Sequence, residues 1–190
     1  MNTNGPKMNR FASGVACLLS SVLCLLATAC SLPAPQEDSV RYFTLSTPAA
    51  SEMAPQAISV RPVRLAGHLR NREMAVRVSE NEVTYLEELR WAEPLDEAIT
   101  QLLRHRLRQI PGDAVVTVNV QRCELLRHSD NAVQVAATYS IAGAAGDART
   151  GTFTSSARQW DGKDPATLVG LLRDGVNELA DTIAQVLEKK

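Results

Sequence analysis

Aromatic residues are scarce in this chain: three Phe, three Tyr and two Trp make up 4% of its 190 residues. Histidine is as rare, with three copies. His68, His105 and His128 stand far apart, with no Cys or acid around them at metal-ligand spacing. That spacing argues against a metal centre and against a histidine-based catalytic constellation. No sign of charge dominates, since 20 basic residues face 21 acidic ones for a net charge of -1. A domain so balanced has no general drive toward phosphate backbones, which excludes nucleic acid as the expected partner. No G-x-S-x-G elbow occurs. Gly143, Gly146 and Gly151 follow one another without opening a helix, so they read as turn glycines and not as a phosphate cradle. The acid pair Glu87-Glu88 is adjacent and suits solvation better than acid/base work. No internal repeat of solenoid length is visible. Nothing in the chain calls for a cofactor, a metal or an enzymatic activity.

Four cysteines are present, and their placement excludes an internal disulfide. Cys17 and Cys24 lie in an uncharged stretch, Phe11 to Ala29, rich in Leu, Val, Ala and Ser. Lys7 and Arg10 precede it, and Ala27-Thr28-Ala29-Cys30-Ser31 follows. A positive start, an apolar middle and small residues at the cut make a secretory signal over residues 1–29. The Cys directly after the small residues resembles a lipobox, with cleavage between Ala29 and Cys30 and acylation of the Cys30 thiol. Leu26 sits one place early for that pattern, and Ala27 holds the usual Leu position. Plain secretion after Ala29 and an uncleaved transmembrane helix are the competing readings. Ser31, in place of Asp, directs a lipoprotein to the periplasmic side of the outer membrane under the enterobacterial sorting rule. Once Lys7 and Arg10 are removed, 18 basic residues face 21 acidic ones, a mature charge of about -3. Cys123 is then the one thiol left. It stands in an apolar-alternating stretch and reads as a buried structural cysteine rather than a nucleophile.

Residues 30–39 hold Pro33, Pro35, Gln36, Glu37 and Asp38, an extended lipidated tether. The globular domain is expected over 40–190. Val40 to Leu45 and Ala57 to Leu65 predict strands, with Pro62 marking an edge or a strand end. Residues 46–56 predict a loop. Met74 to Val78 and Val83 to Leu86 predict a hairpin with a polar tip. From Pro94, the residues Leu95, Ala98, Ile99, Leu102, Leu103, Leu107 and Ile110 predict a helix. Ala114 to Arg127, Ala132 to Ile141 and Ala148 to Trp160 predict an antiparallel meander, with tight turns at Ser129-Asp130-Asn131 and Gly143 to Asp147. Leu168, Leu171, Leu172, Val176, Leu179, Ile183, Val186 and Leu187 predict a long final helix. The class is α/β: a central mixed, largely antiparallel sheet with two long amphipathic helices, in a three-layer arrangement.

The most distinctive segment is Glu87 to Leu95. Trp91 before a helix start reads as the residue that packs helix onto sheet. The functional alternative is a partner contact, since Trp and Arg are common interface anchors. Arg90-Trp91-Ala92-Glu93-Pro94-Leu95 resembles the "RWAEPL" motif of the ABC-type transport auxiliary lipoproteins, the PqiC-like group. Tyr42-Phe43-Thr44-Leu45, then Ile58-x-Val60-x-Pro62-Val63-x-Leu65, then Arg72-x-Met74, Arg77 and Asn81-x-Val83 agree in order. The likeness covers Cys30 to about Leu107. The resemblance implies a non-catalytic periplasmic lipoprotein beside an ABC transporter permease and ATPase and an MCE-domain protein, moving lipids or hydrophobic solutes and supporting membrane integrity. Partner contacts are expected at the hairpin and at the turn before the helix, through Arg77, Asn81, Arg90, Trp91 and Glu93. Homo-oligomerisation stays open. A stand-alone periplasmic lipid carrier and an envelope hydrolase are the alternatives.

Overall fold

In the computed structural model the described residues are 39–45, 58–143 and 148–189. Alternation of apolar and polar residues sets the sheet. Nine strands form it: β1 (Arg41–Phe43), β2 (Ser59–Val60), β3 (Arg64–Leu65), β4 (Glu73–Ser79), β5 (Glu82–Trp91), β6 (Val115–Leu126), β7 (Ala132–Ala142), β8 (Ala148–Thr154) and β9 (Arg158–Gln159). A short 3-10 helix, Gly67–Arg70, joins β3 to β4. Helix α1 runs Leu95–Leu107 and α2 runs Pro165–Glu188. The strand order is β1-β5-β4-β6-β7-β8. The long strand β6 is the hub. One edge pairs antiparallel with β7; the other takes β2, β3 and β4 in succession, all parallel.

The break between β2 and β3 falls around Pro62, which has no N–H to give a ladder. The next donor, Val63 N–H, is taken by the buried Thr100 hydroxyl oxygen at 2.9 Å. Thr100 in turn donates to the Asp96 carbonyl at 2.6 Å. On the same helix Arg104 donates twice to the Val60 carbonyl, at 3.0 and 3.2 Å. Helix α1 thus supplies the hydrogen bonds that the proline interruption leaves open.

Val116, Val118 and Val120 on β6 and Val133, Val135, Ala137, Tyr139 and Ile141 on β7 form one buried face. A bulge at Gln121 shifts the register between Val120 and Arg122. The extra residue keeps Cys123 and Leu125 on that face and turns Glu124 to the other. Both helices cover the buried face and touch each other, with Arg106 Nη2 2.5 Å from Asp181 Oδ1 across the pair. Their stripes (Ile99, Leu103 and Leu107 on α1; Leu168, Leu172, Leu179 and Ile183 on α2) join a single core. The opposite face carries Thr117, Asn119, Gln134, Thr138 and Ser140, all half-buried, and no α-helix among the described residues. The α/β class, the mixed sheet and the two helices are as the sequence implied.

Close approach is bought with glycine at two points. A Cβ on Gly175 of α2 would stand 2.7 Å from Val135 Cγ2 and 3.2 Å from its Cβ. Gly151 on β8 lies opposite Tyr139, whose ring covers the place where a Cβ would be, at 2.4 Å. Helix α2 begins on Pro165, and its cap Asp164 accepts from Ala166 N–H at 3.1 Å. Asp130 and Asn131 turn β6 into β7 with positive φ of 49° and 56°. Both are residue types that tolerate that region. No described helix is long and apolar enough to cross a membrane.

Some boundaries moved. Strand β5 continues to Trp91, so Glu87 to Trp91 is strand and not a connection. The predicted strand 148–160 divides into β8 and β9, both on β7. The loop at 46–56 and most of the turn at 143–147 lie outside the described residues.

Candidate functional site

The hairpin β4–β5 and the start of α1 carry most of the residues singled out above, and the structure sorts them into two places. At the outer end of the hairpin, Arg77 on β4 faces Glu124 on β6. Arg77 Nε donates to Glu124 Oε1 at 2.6 Å and Nη2 to Oε2 at 3.4 Å. Arg77 Nη1 also donates to the Glu80 carbonyl at 3.1 Å. Glu124 has a fully buried side chain, and Arg77 keeps only 12% of its own exposed. His68 Nε2 lies 3.1 Å from Glu124 Oε2, and Arg122 Nε lies 3.8 Å from Oε1. Tyr85 donates to the His68 carbonyl at 3.2 Å. A buried carboxylate held this way is satisfied and is no nucleophile; it fastens the hairpin and the 3-10 helix to the central strand. Asn81 sits exposed in the hairpin tip, next to this cluster.

At the other end of the hairpin, Arg90 and Trp91 point to opposite faces, as neighbours on a strand must. Arg90 lies across from Glu73, with Nε 3.6 Å from Oε1 and no hydrogen bond to that buried nitrogen. Trp91 turns into the core at 3% exposure and packs between sheet and α1. Its backbone N–H donates to the Arg72 carbonyl at 2.8 Å, and the next N–H, of Ala92, donates to the Phe43 carbonyl at 2.8 Å.

Trp91 also floors an open cleft of about 460 Å³. Val63, Leu65, Pro94 and Leu95 complete its apolar surface. Arg64 on β3, Arg70 at the end of the 3-10 helix and Arg72 just after it also line it. So do Glu93, from the turn before α1, and Asp96, from its first turn. All three arginines are exposed. Trp91 and Glu93 therefore share one site, while Arg77 and Asn81 belong to the far end of the hairpin. Ala29 and Cys30 lie outside the described residues.

Sequence reasoning passed over Glu124, Arg64 and Arg70, and met Arg72 only as part of the family likeness. Glu124 had a signal, an acid inside the buried run Cys123 to Leu126. Arg64 and Arg70 had none, because no local pattern links β3 and the 3-10 helix to the start of α1, beside which they line the cleft. No group of three or more His, Cys, Asp or Glu that could hold a metal exists among the described residues. Cys123 is buried, and desolvation followed by the neighbouring Glu124 charge pushes its thiol up to about 12. It is a packing group and not a nucleophile.

The profile of one family, the ABC-type transport auxiliary lipoprotein component, matches residues 43–184. The chain belongs to that family. The match runs well past Leu107 and takes in the meander and α2, where only the order of elements suggested kinship. Within the matched stretch, Trp91, Glu93, Pro94 and Leu95 line the cleft. A crystal structure of a protein described only as uncharacterized is similar at 17% identity and a TM-score of 0.62, over 77% of this chain and 97% of that one. A protein from Xanthomonas campestris is similar at 18% identity and a TM-score of 0.59, over 78% of this chain and 91% of that one. Both likenesses concern the fold alone. No curated protein matches the chain.

Proposed function

We propose that this auxiliary lipoprotein is a non-catalytic accessory subunit of an ABC/MCE-type system that moves lipids or hydrophobic solutes across the cell envelope. Residues 1–29 are removed on export, Cys30 takes the acyl chains, and residues 30–39 tether the domain to the periplasmic side of the outer membrane. Family membership over 43–184 carries the reading. Its support is the export-and-lipidation pattern directly ahead of the domain. The partner surface of the proposal is the exposed hairpin tip at Asn81 together with the rim of the cleft at Glu93. Arg77, Arg90 and Trp91 act behind it, by fixing the hairpin and the helix start.

Mass spectrometry of the processed protein tests the anchor, with an N-terminal diacylglyceryl-Cys30 expected. Gentle cross-linking in cells tests the role. Photoreactive groups at positions 81 and 93 should capture an MCE-domain protein, and one at the exposed position 163 on the α2 side should not. Recovery of no MCE partner from any of these positions overturns the accessory role, and an intact leader overturns the tether.

A further inference from the structure

The cleft beside Trp91 joins two features that the accessory role leaves unused. Its floor is apolar: Trp91, Leu95, Val63 and Leu65. Its lining also holds three exposed arginines, Arg64, Arg70 and Arg72, and two acids, Glu93 and Asp96. We propose that this cleft binds the phosphate-bearing headgroup of a phospholipid, with the phosphate against Arg64, Arg70 and Arg72 and the first carbons of the lipid on Trp91 and Leu95.

Three observations favour a lipid as the occupant. Guanidinium groups present donors in a planar fork that matches phosphate oxygens, and three arginines against two acids leave the lining with an excess of positive charge. The volume of about 460 Å³ suits a ligand of drug size. A headgroup and its nearest methylenes fit, and two full acyl chains do not, so the site grips one end of a lipid and leaves the rest in the bilayer. The third observation is position. Strand β1, the first after the tether, pairs directly with β5, and Phe43 lies opposite Trp91. The strand that leads out of the tether is therefore the neighbour of the strand that floors the cleft. Residues 30–38 span at most roughly 30 Å when extended, so anchoring at Cys30 keeps the cleft within reach of headgroups. This last step rests on the tethered reading above.

The two tryptophans make the test direct. A ¹H–¹⁵N spectrum of the processed full-length protein in uncharged maltoside micelles carries two indole signals. Trp91 reports the cleft. Trp160, which does not line the cleft and whose indole N–H donates to the Asp164 carbonyl at 3.0 Å, is the internal control. Dihexanoylphosphatidylglycerol should shift the Trp91 signal saturably and leave Trp160 in place. In the triple variant Arg64→Gln, Arg70→Gln, Arg72→Gln the apparent Kd should rise at least tenfold. All three residues are exposed, and an unchanged free spectrum verifies the fold. Inorganic phosphate should need at least a hundredfold higher concentration, and hexyl glucoside should produce no saturable shift. A still Trp91 signal, or equal affinity in the triple variant, overturns the proposal. Phosphate acting at the lipid's concentration leaves an adventitious anion only, and hexyl glucoside acting equally leaves an apolar patch only; either also overturns it. Partner cross-linking is scored separately, so loss of the accessory role with a moving Trp91 signal, or the reverse, identifies which of the two has failed.

Discussion

Two glycines of α2 let packing and helix propensity be set against each other within one element. Gly170 and Gly175 both lie inside the helix. A Cβ added at Gly170 meets nothing within 4 Å. The same atom at Gly175 meets Val135 Cγ2 at 2.7 Å, Val135 Cβ at 3.2 Å and Ser155 Cβ at 3.4 Å. Replacing a helix-interior glycine by alanine gains about 1 kcal/mol from propensity alone, so Gly170→Ala should raise Tm by about 2–4 °C for a chain of this size. At Gly175 the same gain is opposed by overpacking, which costs about 1–3 kcal/mol. Val135 is β-branched and stiff at χ1, and it lies on the central strand β7 between β6 and β8. It cannot swing aside as the end of a long chain would. The overpacking cost wins, and Gly175→Ala should lose roughly 1 kcal/mol net. Urea unfolding followed by far-UV circular dichroism measures both variants. The cycle with Val135→Ala locates the cause, because the double variant should be more stable than the sum of the singles by about 1 kcal/mol or more. If Gly175→Ala stabilises as much as Gly170→Ala, the contact between α2 and β7 is looser than described and the reasoning fails.

Three further outcomes follow from the described contacts. Glu124→Ala leaves the nearly buried Arg77 guanidinium without its counter-charge and should cost about 3 kcal/mol in urea unfolding; a loss under about 1 kcal/mol would remove Glu124 as the fastening point of the hairpin. Burial alone would raise the Glu178 carboxyl, but the Ser156 N–H and the Arg158 guanidinium that it accepts from hold it below the ordinary 4.5. Its folded value lies under its unfolded value, so its contribution is present above about 4.5 and disappears as pH falls through the folded value. Glu178→Gln should therefore flatten the acid limb of stability against pH and leave the slope above pH 6 unchanged; an unaltered acid limb counts against the pairing. Cys123, pushed up to about 12 from 9.0, should resist iodoacetamide at pH 8 in the native protein and react once urea unfolds it. Rapid native alkylation at this position would show that the core opens there.

Periodicity made most of the fold legible. The stripes Leu95 to Leu107 and Leu168 to Ile183 lie on the core as their spacing implied, and the alternation Val133 to Ile141 gives β7 nearly to the residue. Pro62 announced an interruption, and the strand does divide around it. The extension of β5 to Trp91 was hidden by Glu87-Glu88, charges that a strand tolerates on a solvated face. Trp91 read as a packing residue and is one. The cleft was invisible for another reason: Arg64, Arg70 and Arg72 sit beyond the motif's own segment, and no local pattern links them to it. Arg77 read as an exposed contact, yet its side chain faces the acid Glu124, nearly fifty positions later, and only the parallel pairing of β4 with β6 brings them together.

The hub strand sets the order in which this domain can close. Strands β2, β3 and β4 all wait for an edge made by Val115–Leu126, which leaves the ribosome after them. Until that stretch arrives, three hydrogen-bonding rims and the apolar side of α1 have nothing to lie against. Once it arrives, the sheet can be completed in one late step.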